Sequence, residues 1–328
     1  MADERFLVTG ALGCIGAWSV KRLVEAGTTV WTYDLPGDGH RLRLIMDEEA
    51  LARVRMLDGD ITDQAGFERA VVDNGITHIV HLAAFQVPFV RADPVQGARV
   101  NVVGTTIVFE TIRRHAEQLR GLVYASSAGI YGTPDGYPPG PLAHDAPARP
   151  TTLYGVLKLA NEGTALNYWQ EHGVRSIGLR PYIVYGPGRD QGMTSTPTKA
   201  MVAAAVGRPY RIRGVGNAVF HHADDVAEVF LRAARANADG APVYNLGGSE
   251  AGMPEIVAAI EAAAPEATGS IGYDPDVPPT IHSVDGQPLE VAIGPIAWTP
   301  LAEGVRRTIE HFRAAARTGT LEVERVLG

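Results

Sequence analysis

The sequence predicts an α/β protein: a doubly wound parallel sheet with a smaller C-terminal lobe. Three observations carry that expectation. Short apolar runs alternate with helical stretches through the first 180 residues, a glycine-rich turn joins the first run to the first helix, and the alternation breaks up after Arg180. Strands that alternate with helices imply right-handed crossovers, which place helices on both faces of one sheet.

Strands are expected at 5–9, 29–33, 54–57, 78–82, 122–126 and 175–179. Most are continuous apolar runs, as strands covered on both faces require. Between the first two, a helix over 16–25 closes on Gly27, whose tolerance of positive φ suits a C-terminal cap. Beyond Arg180, Pro181, Pro187, Gly188, Gly192 and Pro197 crowd a loop-rich passage. A late run at 243–246 stops at Gly247–Gly248 and is expected to return to the main sheet. The division is therefore a unit over 1–180 with a returning strand near 243–247, and a substrate lobe built mainly from 181–328.

At 328 residues, with 45% hydrophobic and 20% charged side chains, the chain has the makeup of an ordinary soluble protein with an ample core. A formal charge of -8 argues against a nucleic-acid partner, which normally meets a basic surface. The single cysteine, Cys14, excludes an internal disulfide and a cysteine-cluster metal site, and it fits a reducing cytoplasm. The opening residues lack a signal-peptide layout and no run is long enough to span a bilayer. The expectation is a cytoplasmic protein with no metal, membrane or nucleic-acid partner.

The segment 6–16 reads strand, glycine turn, helix start, with Gly10, Gly13 and Gly16 spaced three apart. Glycines there let a backbone approach a pyrophosphate that rests on the free N–H groups of a helix N-terminus. Asp34, at the end of the second strand, lies where a carboxylate grips an adenosine ribose. Such a carboxylate repels a 2′-phosphate, so a Rossmann-type unit holding NAD rather than NADP is expected. Arg41 and Arg43 are the side chains that could favour a phosphate instead.

Tyr154 and Lys158 stand four apart, on one face of a helix, and Ser126–Ser127 end an upstream strand. A phenol with an ordinary pKa near ~10 is a poor base at neutral pH. A neighbouring ammonium stabilises its phenolate, and a serine hydroxyl steadies the substrate oxygen. The set Ser127, Tyr154 and Lys158 is expected to remove a hydroxyl proton while hydride leaves for a nicotinamide.

Together these pieces resemble the extended short-chain dehydrogenase/reductases of the NAD-dependent epimerase/dehydratase type. The resemblance is carried by 9–16, Asp34, 58–61, 81–84, Asn101, 124–132, Tyr154, Lys158, 180–188 and 224–227. It implies cofactor contacts from Gly10, Leu12, Gly13, Cys14, Ile15, Gly16, Asp34, Asp60, Ile61, Leu82, Ala83, Ala84, Asn101, Tyr154, Lys158 and Tyr182. It also identifies Ser127 rather than Ser126 as the catalytic hydroxyl. It implies a homodimer through the helix of Tyr154 and its neighbour near 94–115.

The chain departs from that pattern where nucleotide sugars bind. Ile183 stands where many members carry an asparagine, and Ala218 where many carry a diphosphate-binding arginine. Losing two polar contacts to one anion weakens its binding. Arg189, Arg211 and Arg213 are the candidates to replace that charge. Dehydratases follow the catalytic hydroxyl with Asp-Glu; Ala128–Gly129 stand here, so dehydration lacks its acid. Gln86, Arg189 and His221 are candidate substrate contacts, whereas His221 and His222, adjacent on a strand, point apart and make a poor metal pair. The leading expectation is hydride transfer from a secondary hydroxyl of a sugar-like or polyol substrate lacking a nucleotide. The alternatives are a nucleotide-sugar 4-epimerase and a non-catalytic NAD-binding protein.

Overall fold

A computed structural model describes residues 4–236, 238–277 and 279–328. In chain order the strands are β1 (Arg5–Thr9), β2 (Thr29–Asp34), β3 (Arg55–Asp58), β4 (His78–His81), β5 (Gly121–Ala125), β6 (Ile177–Arg180), β7 (Ile183–Tyr185), β8 (Tyr210–Ile212), β9 (Ala218–His222), β10 (Val243–Asn245), β11 (Ser249–Ala251) and β12 (Ile271–Tyr273). Seven of them form one all-parallel sheet in the order β10-β6-β5-β4-β1-β2-β3. The fold is a doubly wound, Rossmann-like α/β sheet flanked by helices.

Burial follows position in the sheet. The central strands β1 and β4 are covered on both faces, which explains their unbroken apolar or small-polar runs. Edge strand β3 is largely exposed, and its Arg55 guanidinium lies 4.7 Å from the Trp31 ring centroid on β2. The first helix, Cys14–Glu25, ends as expected: Gly27 has φ +70° and its N–H donates to Val24 O at 3.0 Å.

The C-terminal half contributes one strand to the main sheet, from the 243–246 run, and a helix behind it. Strand β10 pairs with β6, and the helix Ala223–Arg235 packs on Cys14–Glu25 and behind β5 and β4. The backbone approach is close enough that a Cβ on Gly121 would meet Ala234 O at 1.9 Å. The remaining elements enclose a second core around Ile183, Met201, Phe220, Ile256 and Phe312. A three-stranded sheet (β11-β9-β7) and a two-stranded one (β12-β8) belong to this region. These strands have only three to five residues each, too few to show a period in the sequence. No helix among the described residues is long and apolar enough to cross a membrane.

Candidate active site

The chain leaves β1 towards β2 and β3, then crosses back to β4, so the C-terminal ends of β1 and β4 flank a topological switch point. A cleft of about 920 Å3 opens there. Its floor is the glycine turn. Gly10 has φ +66°, and a Cβ on it would lie 2.6 Å from Ala83 N; on Gly16 a Cβ would lie 2.3 Å from Gly10 O. The Cys14–Glu25 helix starts at Gly13 with no side-chain cap and no acidic residue in its first turn. Open first-turn N–H groups at a cleft floor fit a pyrophosphate.

Leu12, Cys14, Ile15, Asp34, Asp60, Ile61, Leu82, Ala83, Ala84 and Tyr182 also line this cleft. Asp34 accepts hydrogen bonds from the N–H groups of Leu12 and Leu35, each at 2.9 Å, while burial pushes its pKa up. Arg41 is committed elsewhere, donating to Asp190 at 2.6 and 2.9 Å and to Leu12 O at 2.7 Å. Arg43 donates to Asp38 O. Both arginines that could have favoured NADP are thus engaged by protein oxygens. Cys14 is partly buried, and desolvation raises its thiol to about 11.

Asn101 corrects one expectation. It is fully buried behind the cleft wall and spends its amide on Phe85, accepting from Phe85 N at 2.7 Å and donating to Phe85 O at 3.0 Å. It positions the loop after β4 and does not line the cleft. The same loop is held from below, where the N–H groups of Leu82 and Ala83 donate to Thr9 Oγ1. His81 bridges Thr9 and Thr105, and burial lowers its pKa to about 3, so it is a neutral strut.

The reactive side chains come from two elements pressed together. Tyr154 sits in the first turn of the helix Leu153–His172, which Thr152 caps by accepting from Gly155 N at 3.1 Å. A Cβ on Gly155 would meet Gly129 O at 2.1 Å, so glycine lets the helix approach the loop after β5. That approach brings the Tyr154 hydroxyl into hydrogen bonding with Ser127, whose Oγ also accepts from Gly129 N at 3.0 Å. One turn on, Lys158 is buried, donates to Ala125 O at 2.6 Å and lies 5.8 Å from the Tyr154 ring centroid.

The electrostatics differ from the sequence expectation. Desolvation raises the Tyr154 pKa, opposed by the Ser127 hydrogen bond and the charge of Arg189 rather than by Lys158. Lys158 itself is brought down to about 8 by burial, with Glu162 opposing.

Glu162, missed in the sequence, organises this site from behind. It forms a buried bidentate pair with Arg180 at 2.7 and 2.8 Å and accepts from Ser126 Oγ. Arg180 continues to Tyr131 Oη at 2.7 Å, and Tyr131 to Asn245 of β10 at 2.7 Å. The network ties together β5, β6, β10 and the Tyr154 helix. A signal did exist: Tyr154, Lys158 and Glu162 recur every four residues on one helix face.

Of the substrate candidates, Gln86 and Arg189 line the cleft and meet at Gly192. His221 does not. It is buried on β9, with its ring centroid 5.6 Å from that of Trp298 and its pKa lowered by desolvation to about 4. The physical reason is that β9 is the middle strand of its small sheet and is covered on both faces. His222, pointing the other way, packs near Trp18 and Tyr185. Among the described residues no cluster of three or more His, Cys, Asp or Glu could hold a metal ion.

Comparison with known proteins agrees with this geometry. The chain is 32% identical to a UDP-glucose 4-epimerase of Mycolicibacterium smegmatis, over 94% of this chain and 98% of that protein. It is 29% identical to a UDP-glucose 4-epimerase of Azospirillum brasilense, over 79% of this chain and 77% of that one. The crystal structure of the Thermus thermophilus UDP-glucose 4-epimerase, a complex with NAD, superposes with a TM-score of 0.77 at 28% identity, covering 95% and 99% of the two chains. Residues 6–247 match the sequence profile described as the NAD dependent epimerase/dehydratase family. The chain belongs to that family of NAD-dependent enzymes.

Proposed function

We propose that this enzyme oxidises a secondary hydroxyl of a sugar-like or polyol substrate that carries no nucleotide, giving a ketone, or a lactone where the oxidised carbon is anomeric. One observation carries the reading: reactive side chains are in place, but among the described cleft residues only one guanidinium, that of Arg189, has no carboxylate partner, too little charge for a diphosphate. Among the described residues lining the cleft, the cations are Arg41, Lys158 and Arg189. Arg41 is held by Asp190, and Lys158 and Arg189 flank Tyr154. Ile183 and Ala218 are buried in the core of the lobe, and Arg211 is exposed and paired with Asp274.

NAD would rest on the 10–16 turn, with its adenosine ribose at Asp34, its adenine near Asp60 and Ile61, and its nicotinamide end near Leu82–Ala84, Tyr154, Lys158 and Tyr182. It supplies the hydride acceptor. Tyr154 Oη takes the substrate hydroxyl proton, and Ser127 Oγ orients the substrate oxygen. Lys158, held by Ala125 O one turn from Tyr154, would hold the nicotinamide ribose, while the Ser127 hydrogen bond and the charge of Arg189 favour the phenolate. Replacing Tyr154 with Phe removes turnover and leaves NAD binding intact; a fully active Tyr154→Phe enzyme overturns this assignment.

The second reading, a nucleotide-sugar 4-epimerase, is favoured by the names of the relatives at 32% and 29% identity. It requires tight NAD retention and stabilisation by UDP. As to assembly, Val95, Val103, Val156 and Leu166 are exposed on the Tyr154 helix and its neighbours, and nothing lies within 4 Å of a Cβ built on Gly163. A second copy of the chain fits that face, so Val156→Glu with Leu166→Glu should convert a dimer to a monomer in sedimentation. A monomeric parent protein contradicts this. The free thiol of Cys14 fits a cytoplasmic setting.

A further inference from the structure

Arg189 is not explained by the fold. Its Nη2 donates to Thr194 Oγ1 at 2.9 Å, yet its Nε is buried with no hydrogen-bond partner. No carboxylate among the described residues pairs with it. The adjacent Asp190 is taken by Arg41 at 2.6 Å and by His40 at 2.8 Å. A buried guanidinium with an unfilled N–H carries a desolvation cost that an arriving anion relieves. Burial accordingly pushes its pKa below the ordinary value, and its charge acts on Tyr154.

The surroundings give this unsatisfied cation a shaped wall. Gly192 has φ +92°, and a Cβ there would stand 2.0 Å from Gln86 Oε1 and 3.4 Å from Arg189 Nη2. A side chain there would be strained and would displace the Gln86 amide, while just touching Arg189. Gln86, Arg189 and Thr194 line the cleft that also holds Tyr154, and Gly192 packs behind them. A guanidinium presents parallel N–H groups that match a planar carboxylate in bidentate fashion. A phosphate dianion calls for more positive charge than this wall holds, because Arg41 and Lys158 are bound to Asp190 and Ala125 O.

We propose that this wall is a carboxylate subsite and that the substrate is a small hydroxy acid of the sugar-acid class, held by Arg189 with its hydroxyl carbon at Tyr154 and Ser127. The proposal rests on the hydride-transfer reading above. In the step it implies, the C–H and O–H bonds of one carbinol break and a C=O bond forms. The hydride with its electron pair reduces NAD+ to NADH, the proton passes to the Tyr154 phenolate and on to solvent, and the carboxylate is unchanged.

The test uses the full chain with NAD and a panel of aldonates and uronates, each matched to its neutral sugar or alditol and to the sugar phosphate. NADH formation gives kcat and KM, and calorimetric titration of the NADH-loaded enzyme gives binding. The expected result is turnover of at least one acid with kcat/KM about 100-fold above its neutral match, the size of one charge-assisted hydrogen-bonded contact. Arg189→Gln should lose most of that ratio through a raised KM, and Arg189→Lys should keep part of it. NAD binding by both variants reports that they fold. Neutral sugars or sugar phosphates turned over in preference to acids, or acids that neither bind nor react, overturn the subsite and leave hydride transfer standing. Turnover confined to UDP-sugars overturns the proposed function itself.

Discussion

Lys158 gives the sharpest quantitative prediction. The folded protein brings its pKa to about 8 from an ordinary 10.5, chiefly by burial. At 1.36 kcal/mol per unit, that gap corresponds to about 3 kcal/mol. The sign follows from proton counting. Between the two values the unfolded chain holds the proton and the folded chain has lost it, so stability rises with pH through that window. Below about pH 8 both states are charged and the full cost is present. Lys158→Met removes the cost but forfeits the hydrogen bond to Ala125 O, worth about 1–2 kcal/mol. The variant should therefore be about 1–2 kcal/mol more stable than the parent near pH 7, and that advantage should shrink by about 3 kcal/mol towards pH 10.5. Urea unfolding of both proteins across this range, without NAD, measures it. An advantage that stays constant with pH, or grows, refutes the burial account of Lys158. Catalysis should fall by at least about 100-fold in the same variant, since the proton-transfer pair is broken.

Two further predictions concern the cofactor side. Asp34→Ala should weaken NAD about 10- to 100-fold by removing the charged acceptor at the ribose position, without producing tight NADP binding, because Asp190 holds Arg41. Calorimetric titration with both cofactors checks this; a parent protein that prefers NADP contradicts it. The Cys14 thiol, raised to about 11 from 9.0, should alkylate about 100-fold more slowly than an unfolded-chain thiol near pH 8 and become faster as pH rises. Labelling at the unfolded-chain rate would show that burial does not control this thiol.

The central strands were legible because a strand covered on both faces must be apolar along its length, and β1, β2, β4, β5 and β6 obey that rule within a residue or two at each end. The short strands β7, β8, β9, β11 and β12 were not, since their pairing is decided by neighbours far away in sequence. The site divides in the same way. Gly10, Asp34, Ser127, Tyr154 and Lys158 announce themselves because local spacing alone places them at a strand end or on one helix face. Asn101 and His221 misled because residue type does not reveal which way a buried side chain turns. Asn101 faces the Phe85 backbone, and His221 faces Trp298. Glu162 left a four-residue signal, but its partners Ser126 and Arg180 become neighbours only in the folded chain. The unpaired state of Arg189 is a tertiary fact too, because it depends on Asp190 being occupied by His40 and Arg41.

The central claim is net hydride transfer from a substrate without a nucleotide, and NADH formation tests it most directly. Purified protein given excess NAD should produce NADH in step with oxidation of a free sugar, sugar acid or polyol, and UDP-sugars should neither react nor compete. Conversion of UDP-glucose to UDP-galactose with no NADH released, and no response to any free substrate, would contradict the account.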